Sequence, residues 1–441
     1  MTTTTPEPTP DLPVTRTPAF WPLMGYAIVL GVFGAVFSLL FLLGTGRGGH
    51  WYKVTNDSWW GGHWWWVAVT AAAGVVVGLV RIWTKLPMQT AGLIEDLQAE
   101  SVDMKLVPGI IAVSFVSLIG GASLGPEKAL GTGGAGFAQW LARKRKRELD
   151  KEDAQVNTLT GFAGAYGGLF GTVLIVVMFI LEVAKPGGRR AAKALPATII
   201  AASVCFAIYF AVAGAVFLGL YAVPHFVYHG WQMAAGVGFG FLAAVITLVL
   251  GIFVQVSTAL FTKMKLPNLV KSTIGGLLFG VVGVALPLTL FTGTDQLKVV
   301  LHKGPALGAA LLAVLVIAKM FTFAVSQASG FVGGPIFPAL FIGGTTGITI
   351  HVLFPSVPLG LVFCCMMAAV PGALVSAPFS MVLMIAFITH LGALETGPVL
   401  LAVITAYLTI EGTKYLLALQ KSRKDHSGSS SPGGVGAAPA S

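Results

Sequence analysis

The sequence predicts an all-α membrane protein that crosses the bilayer many times and is built from two related halves. Of its 441 residues, 55% are hydrophobic and 10% are charged, and the mean hydropathy is +0.84. A soluble domain carries about 25% charged residues. Long apolar runs and repeated glycine-proline motifs support the same fold class.

The apolar runs are long enough to span a membrane, which takes about 20 residues of helix. Seven separate runs cover residues 21–43, 63–80, 161–181, 194–223, 233–260, 274–291 and 306–325. Residues 336–417 are apolar almost without interruption. They leave room for about four more spans.

Basic residues predict the orientation, because short loops rich in Lys and Arg stay in the cytoplasm. The basic clusters lie at residues 143–147, 185–193, 263–271 and 421–424. Residues 51–66 are poor in cations, so we place them outside. We therefore expect a multi-pass protein of the cell membrane with both termini in the cytoplasm. This topology explains the net charge of +10, and a nucleic-acid partner is the weaker interpretation.

Residues 18–420 are predicted to form one transmembrane domain, with halves near 18–223 and 228–420. The Thr/Pro-rich segment 1–17 and the tail 421–441 are predicted to be disordered and cytoplasmic. Cys205, Cys364 and Cys365 lie in apolar runs and are expected to be buried thiols. Neither H-E-x-x-H nor a Walker loop occurs in the sequence, so no metal or other cofactor is expected.

Two similar glycine-proline motifs occur in the sequence, one in each predicted half. SLGPEKALG contains Gly125-Pro126, and SGFVGGPIFPALFIGG contains Gly334-Pro335, 209 residues later (334 − 125). A second pair follows in the same order, because GGLFGTVLIVVMFILE at 167–182 resembles ALVSAPFSMVLMIAFI at 373–388. Internal duplication is common in membrane transport proteins. The alternative is chance similarity between glycine-rich apolar segments.

Each glycine-proline pair is interpreted as a helix that starts inside the membrane, since proline suits the first helical position. Irregular backbone at that depth survives only where it is buried or lines a cavity. The free N–H groups and the positive end of the helix dipole favour an anion there. Glu127 would lie in such a first turn, where its carboxylate could occupy the anion site and leave it when protonated. The plainer alternative is a first-turn Glu at the interface, paired with Lys128.

The segment Gly121-Ala-Ser123-Leu-Gly125 also fits G-x-S-x-G, the motif of serine hydrolases. That motif needs a strand before the Ser and a His base within hydrogen-bond reach. Here an apolar membrane run precedes Ser123, and nothing in the sequence places His302 or His351 near it. An intramembrane serine hydrolase is therefore the weaker hypothesis, and we expect the protein not to be an enzyme.

The motifs resemble those of the CLC family of chloride channels and proton-coupled anion antiporters. SLGPEKALG is similar to the family's G-R/K-E-G-P segment, and GGPIFPALFIGG is similar to its G-x-F-x-P segment. The resemblance implies a homodimer in the bilayer. Within each subunit, two inverted halves with broken helices meet at a central anion site. It implies transport of a small inorganic anion, chloride first, with Glu127 as the gate. The anion-binding residues implied are Gly125, Pro126, Glu127, Lys128, Gly334, Ile336, Phe337 and Tyr415. Tyr415 in GTKYLL fits the family's central tyrosine, and Tyr407 is the alternative for this role.

The sequence departs from the family pattern at two places that bear on mechanism. The family's first anion segment, G-S-G-I-P, falls on residues 90–94, where Ala91 replaces the coordinating Ser. Antiporters of the family usually carry Glu-Glu where this chain has Glu182-Val183. We therefore expect channel-like or weakly proton-coupled transport. The alternative is a proton/anion antiporter in which Glu182 belongs to the inner proton path.

Overall fold

The computed structural model describes residues 14–16, 20–50, 63–144, 150–214 and 219–428, and these form sixteen α-helices and two short 3-10 turns. The helices are α1 (Phe20–His50), α2 (Trp66–Thr84), α3 (Leu93–Ala99), α4 (Val107–Ile119), α5 (Glu127–Lys144), α6 (Lys151–Tyr166), α7 (Val173–Ala184), α8 (Gly188–Ala213), α9 (Trp231–Lys263), α10 (Asn268–Ala285), α11 (Thr294–Leu307), α12 (Ala309–Ala328), α13 (Ile336–Leu353), α14 (Leu359–Leu374), α15 (Pro378–Thr389) and α16 (Thr396–Gly428).

Eight of these helices are long and apolar enough to cross a membrane: α1, α2, α8, α9, α10, α12, α13 and α16. The apolar helices α4, α7, α14 and α15 have only 12 to 16 residues. At about 1.5 Å per residue they are shorter than the roughly 30 Å hydrocarbon core. The protein is therefore a multi-pass membrane protein. Residues 336–417, predicted to hold about four more spans, contain the four helices α13 to α16, of which α13 and α16 are long enough to cross the membrane.

The predicted single span at residues 161–181 is wrong, because the chain breaks there into two helices. Helix α6 ends at Tyr166 and α7 begins at Val173. Between them Gly171 has a φ of 72°, and the Thr172 hydroxyl caps the start of α7. Hydropathy stays high across the break, so an apolar run cannot reveal it.

Two other predicted spans have shifted boundaries. Helix α8 begins at Gly188 and ends at Ala213, before the expected end at residue 223. Helix α10 begins at Asn268 and ends at Ala285, and a 3-10 turn at Pro287–Thr289 follows it. Helix ends carry their own capping requirements, and these override a boundary read from hydropathy.

The repeat predicted from the motifs is confirmed in the helices. Helices α5 and α13 both have 18 residues, and α7 and α15 both have 12. Gly171 and Ser376, which precede α7 and α15, both have positive φ, at 72° and 55°. The residues that follow these two helices, Lys185 and His390, also match, with φ of 50° and 54°.

Glycines let several helices pack with their backbones almost touching. A methyl group at Gly134 on α5 would meet the carbonyl oxygen of Gly161 on α6, and a methyl at Gly161 would meet that of Gly134. Gly34 on α1 and Gly164 on α6 make a second close contact of this kind. Such small-residue contacts hold helices together in membranes, where apolar surface alone gives little preference for association.

The structure describes part of the two terminal segments that were predicted to be disordered. Val14–Arg16 forms a 3-10 turn within the segment predicted to be disordered, and α16 continues to Gly428, past the expected boundary at 420. The rest of segments 1–17 and 421–441 lies outside the described residues, as do 51–62 and 145–149.

Candidate functional site

The two glycine-proline motifs meet in an antiparallel contact. The N–H of Gly125 donates to the carbonyl of Gly334 at 2.8 Å, and the N–H of Gly334 donates back to Gly125 at 2.7 Å. Helix α5 begins two residues after Gly125, and α13 begins two residues after Gly334. The starts of two helices are thus held side by side, as the sequence predicts.

A reciprocal pair of serines secures the same junction. The Ser117 hydroxyl accepts a hydrogen bond from the N–H of Val332 at 3.1 Å, and the Ser326 hydroxyl accepts one from the N–H of Ser123 at 3.3 Å. In the repeat of the two halves, Ser326 corresponds to Ser117, and Val332 corresponds to Ser123. Such reciprocity is the property of a two-fold axis, so the two halves are related by one at this point.

The carboxylate of Glu127 lies between these helix starts and is fully buried. Its Oε1 accepts a hydrogen bond from the N–H of Phe337 at 3.2 Å, while Oε2 has no hydrogen-bond partner among the described residues. A methyl group at Gly125 or Gly334 would collide with this carboxylate. The two glycines therefore leave the space that the carboxylate fills, at the amino end of α13.

Tyr166 supports the first turn of α5 from behind. Its buried hydroxyl donates to the carbonyl of Glu127 at 3.0 Å, and a methyl at Gly131 would meet that hydroxyl. The motifs in the sequence did not predict this role for Tyr166. The available signal was a phenol in the glycine-rich stretch GFAGAYGG, which says nothing about its partner.

Lys128 pairs with Asp96 rather than with Glu127. Its Nζ lies 2.5 Å from Asp96 Oδ2 and 3.4 Å from the carbonyl of Gly92, and both side chains of the ion pair are nearly buried. The alternative in which Lys128 neutralises Glu127 at the interface is not what the structure shows. Asp96 was also missed, because a carboxylate 32 residues before Lys128 has no local pattern that marks it.

A cavity of about 360 Å³ opens beside the junction. Its walls include residues 88–95, Lys128 and the segment that contains Gly333 and Pro335. The structure thus brings the predicted first anion segment, with Ala91, close to the second segment, SLGPEKALG, and to the third segment, GGPIFPALFIGG. Glu95 closes the amino end of the seven-residue helix α3, since its carboxylate accepts the N–H of Gly92 at 2.7 Å.

Tyr415 is not brought to this site. It lies on α16, where its side chain is 65% exposed, and the neighbouring Leu416 and Leu417 are exposed to a similar degree. Tyr407, the other tyrosine of this helix considered for the role, is half-buried. The motif GTKYLL resembles the family segment locally, but the continuous helix carries Tyr415 to an outer surface.

Glu182 binds the start of another helix, α15. Its two oxygens accept the N–H of Phe379 at 2.8 Å and both the N–H and the hydroxyl of Ser380 at 2.7 Å. These groups belong to the first turn of α15. Val183, the next residue, is buried and apolar.

The requirements of a serine hydrolase are not met in the described part of the chain. Helix α4, not a strand, precedes Ser123. The Ser123 hydroxyl is buried and has no hydrogen-bond partner there. The ring of His351 instead contacts the carbonyl of Val357 at 2.8 Å. The described part of the chain therefore does not support the hydrolase hypothesis.

Comparison with known proteins agrees with this geometry. Residues 89–411 match the sequence pattern that defines the voltage gated chloride channels. The chain belongs to the voltage-gated chloride channel family. Within that family it is similar to a protein of Salmonella choleraesuis (strain SC-B67) named "Putative ion-transport protein YfeO", at 30% identity over 302 residues, 66% of this chain and 70% of that protein. A protein of the same name from Escherichia coli O139:H28 is 29% identical over the same length.

Solved structures of family members share the fold. A slow cyanobacterial Cl⁻/H⁺ antiporter superposes with a TM-score of 0.76 and 16% identity, covering 91% of this chain and 97% of that one. A CLC-type fluoride/proton antiporter gives 0.74 and 18%, covering 88% and 95%. A eukaryotic CLC transporter gives 0.67 and 15%, covering 89% and 72%. The predicted CLC-type fold is therefore confirmed.

Proposed function

We propose that the protein carries a small inorganic anion, chloride first, across the cell membrane through a pathway gated by Glu127. The observation that carries this proposal is the buried Glu127 carboxylate, which accepts an N–H at the start of α13 and has a second oxygen without a partner in the described residues. A negative group already occupies the place where a helix start attracts an anion. Protonation or displacement of Glu127 would open that place to a mobile anion.

The free energies of anion binding and of desolvation explain why a buried anion site needs two helix starts and a cavity. One helix terminus contributes at most about 2 kcal/mol toward binding an anion. The idealised cost of desolvating an isolated ion is about 20 kcal/mol. A single terminus therefore cannot hold a bare anion, whereas paired termini beside the cavity of about 360 Å³ can hold one that keeps part of its water.

We infer that transport is not tightly coupled to protons. Val183 is buried and cannot bind a proton. Glu182 lies next to it, but its two oxygens accept three hydrogen bonds from the first turn of α15. These hydrogen bonds stabilise the start of α15. They support a structural role for Glu182 rather than a role in proton transfer.

A proton/anion antiporter is the second candidate function. It is favoured by the solved family members described as Cl⁻/H⁺ and fluoride/proton antiporters, which share this fold. Because one of these structures is a fluoride/proton antiporter, fluoride is the main alternative to chloride as the transported anion. In this case Glu182 would release its bonds to α15 in order to carry a proton.

The assembly and orientation follow the same proposal. We propose a homodimer in the cell membrane, as the family resemblance implies. Cytoplasmic termini are supported by the basic clusters at residues 185–193 and 263–271. Cross-linking in membranes and protease protection of tags at each end would check the two statements separately.

The test of the proposed function is anion flux from liposomes that contain the purified protein, with the internal pH recorded at the same time. We expect chloride flux that depends on external pH in the native protein, and flux insensitive to pH in Glu127→Gln, since the amide cannot be charged. Fluoride and nitrate are measured in parallel. If no anion moves through the native protein, or if Glu127→Gln behaves as the native protein does, the proposed function is wrong. Uphill proton movement would favour the antiporter.

A further inference from the structure

Arg81, near the end of α2, places a buried positive charge in the wall of the cavity. Its side chain is 2% exposed. The Nε–H donates to the carbonyl of Gly330 at 2.7 Å, and an Nη1–H donates to the carbonyl of Pro87. These bonds tie the segment before Ala91 to the segment before Gly334. Arg81 thus stands where the first and third predicted anion segments approach each other.

The charge on Arg81 is not neutralised by an acid. Within the described residues no carboxylate lies in ion-pair contact with it, whereas the nearby Lys128 has Asp96 at 2.5 Å. The acid that lines the cavity, Glu95, accepts the N–H of Gly92. Both acids around the cavity are therefore engaged elsewhere, and two carbonyl dipoles alone oppose the guanidinium charge.

A buried charge of this kind normally has a counter-ion, because an unpaired ion in a protein interior is very costly. A guanidinium has five N–H donors in a planar fork. The two carbonyl bonds use two of them and leave three. The cavity beside Arg81 is the place from which an anion would reach these donors.

We propose that Arg81 binds the transported anion in the cavity and takes the part of the hydroxyl that is missing at Ala91. The proposal rests on the proposed function, since it names a residue of the same pathway. The ligand class is a small inorganic anion that keeps part of its water, because the cavity of about 360 Å³ is much larger than one bare ion. Arg81 sets the affinity for the anion in the cavity, while Glu127 gates the pathway.

The test is equilibrium binding of chloride to the purified full-length protein, measured by calorimetry. Arg81→Gln removes the charge and is expected to weaken binding by about tenfold or more, the usual effect of losing a charged hydrogen bond. Arg81→Lys keeps the charge without the fork and is expected to lose less. Lys85→Gln is the matched control, since Lys85 lies exposed just after the same helix. Equal effects of Arg81→Gln and Lys85→Gln would overturn the proposal.

A second measurement needs no variant and covers the case in which Arg81→Gln does not fold. Crystals of the native protein are soaked in bromide, and anomalous scattering locates the ion. A bromide within about 4 Å of the guanidinium is the expected result. Bromide bound elsewhere, or none in the cavity at saturating bromide, would overturn the assignment. Flux through the native protein, measured separately, tells failure of this inference from failure of the proposed function.

Discussion

Ser117 and Ser326 perform the same task in opposite halves of the molecule. Each hydroxyl donates to the carbonyl four residues earlier in its own helix, and each accepts a backbone N–H from the other half. The two loops that precede α5 and α13 are therefore held by equivalent bonds. Helix α5, which carries Glu127, therefore begins at a junction that both halves of the molecule stabilise.

This relationship predicts equal costs for Ser117→Ala and Ser326→Ala. Each change leaves a buried N–H, of Val332 or Ser123, without its acceptor, which destabilises a protein by about 1–3 kcal/mol. Thermal unfolding in detergent measures the effect. Ser114→Ala is the control, because the buried Ser114 hydroxyl has no partner among the described residues, and its loss should cost less. A large effect from only one of the two serines would contradict the two-fold arrangement.

The buried ion pair between Lys128 and Asp96 predicts a strong dependence of each on the other. Asp96→Asn leaves the lysine charge unpaired, and breaking such a pair costs about 3–5 kcal/mol. The double variant Asp96→Asn/Lys128→Met should recover much of that loss, because it removes both charges.

A double-mutant cycle of unfolding free energies measures the coupling between Asp96 and Lys128. Glu411→Gln is the control, since the Glu411–Lys414 pair is largely exposed, and exposed pairs contribute about 0–1 kcal/mol. Additive effects of the two changes at Asp96 and Lys128 would show that the buried pair is not formed.

The positions of Ala91 and Tyr415 predict different effects on chloride affinity for two variants. Ala91→Ser puts a hydroxyl on the wall of the cavity and is expected to tighten chloride binding by about tenfold, the gain from one hydrogen bond to a charged group. Tyr415→Phe is expected to leave the affinity unchanged, because Tyr415 is 65% exposed on α16. Calorimetry on both variants decides the point. Weakened binding in Tyr415→Phe would mean that α16 bends inward in the transporting protein.

The contacts of Glu182 predict a loss of stability without a loss of flux. Glu182→Gln removes a charged acceptor from the first turn of α15 and should cost about 1–2 kcal/mol of unfolding free energy. Chloride flux in liposomes should stay at the native rate. Glu395→Gln is a matched control, since Glu395 accepts the N–H of Gly392 just before α16. Proton movement that disappears in Glu182→Gln alone would favour the antiporter.

Much of the fold and part of the site could be predicted from local sequence. Apolar runs locate most spans, because insertion in a membrane needs length and low polarity, which are properties of one segment at a time. The pair Gly125-Pro126 marks a helix start for the same kind of reason, since proline fits where no N–H partner is needed. The spacing between the two motifs also predicted the repeat, and the family resemblance implied that Glu127 shares one anion site with Ile336 and Phe337.

Other features depended on contacts between distant parts of the chain. The break between α6 and α7 lies in an uninterrupted apolar run, and Tyr415 sits in a matching motif on a helix that carries it away. Gly330, which binds Arg81, is 249 residues from it, and Ser380, which binds Glu182, is 198 residues from it. The sequence by itself determined where helices cross and where two of them begin. Only the tertiary structure decided which charges are neutralised, because that depends on which segments the two halves bring into contact.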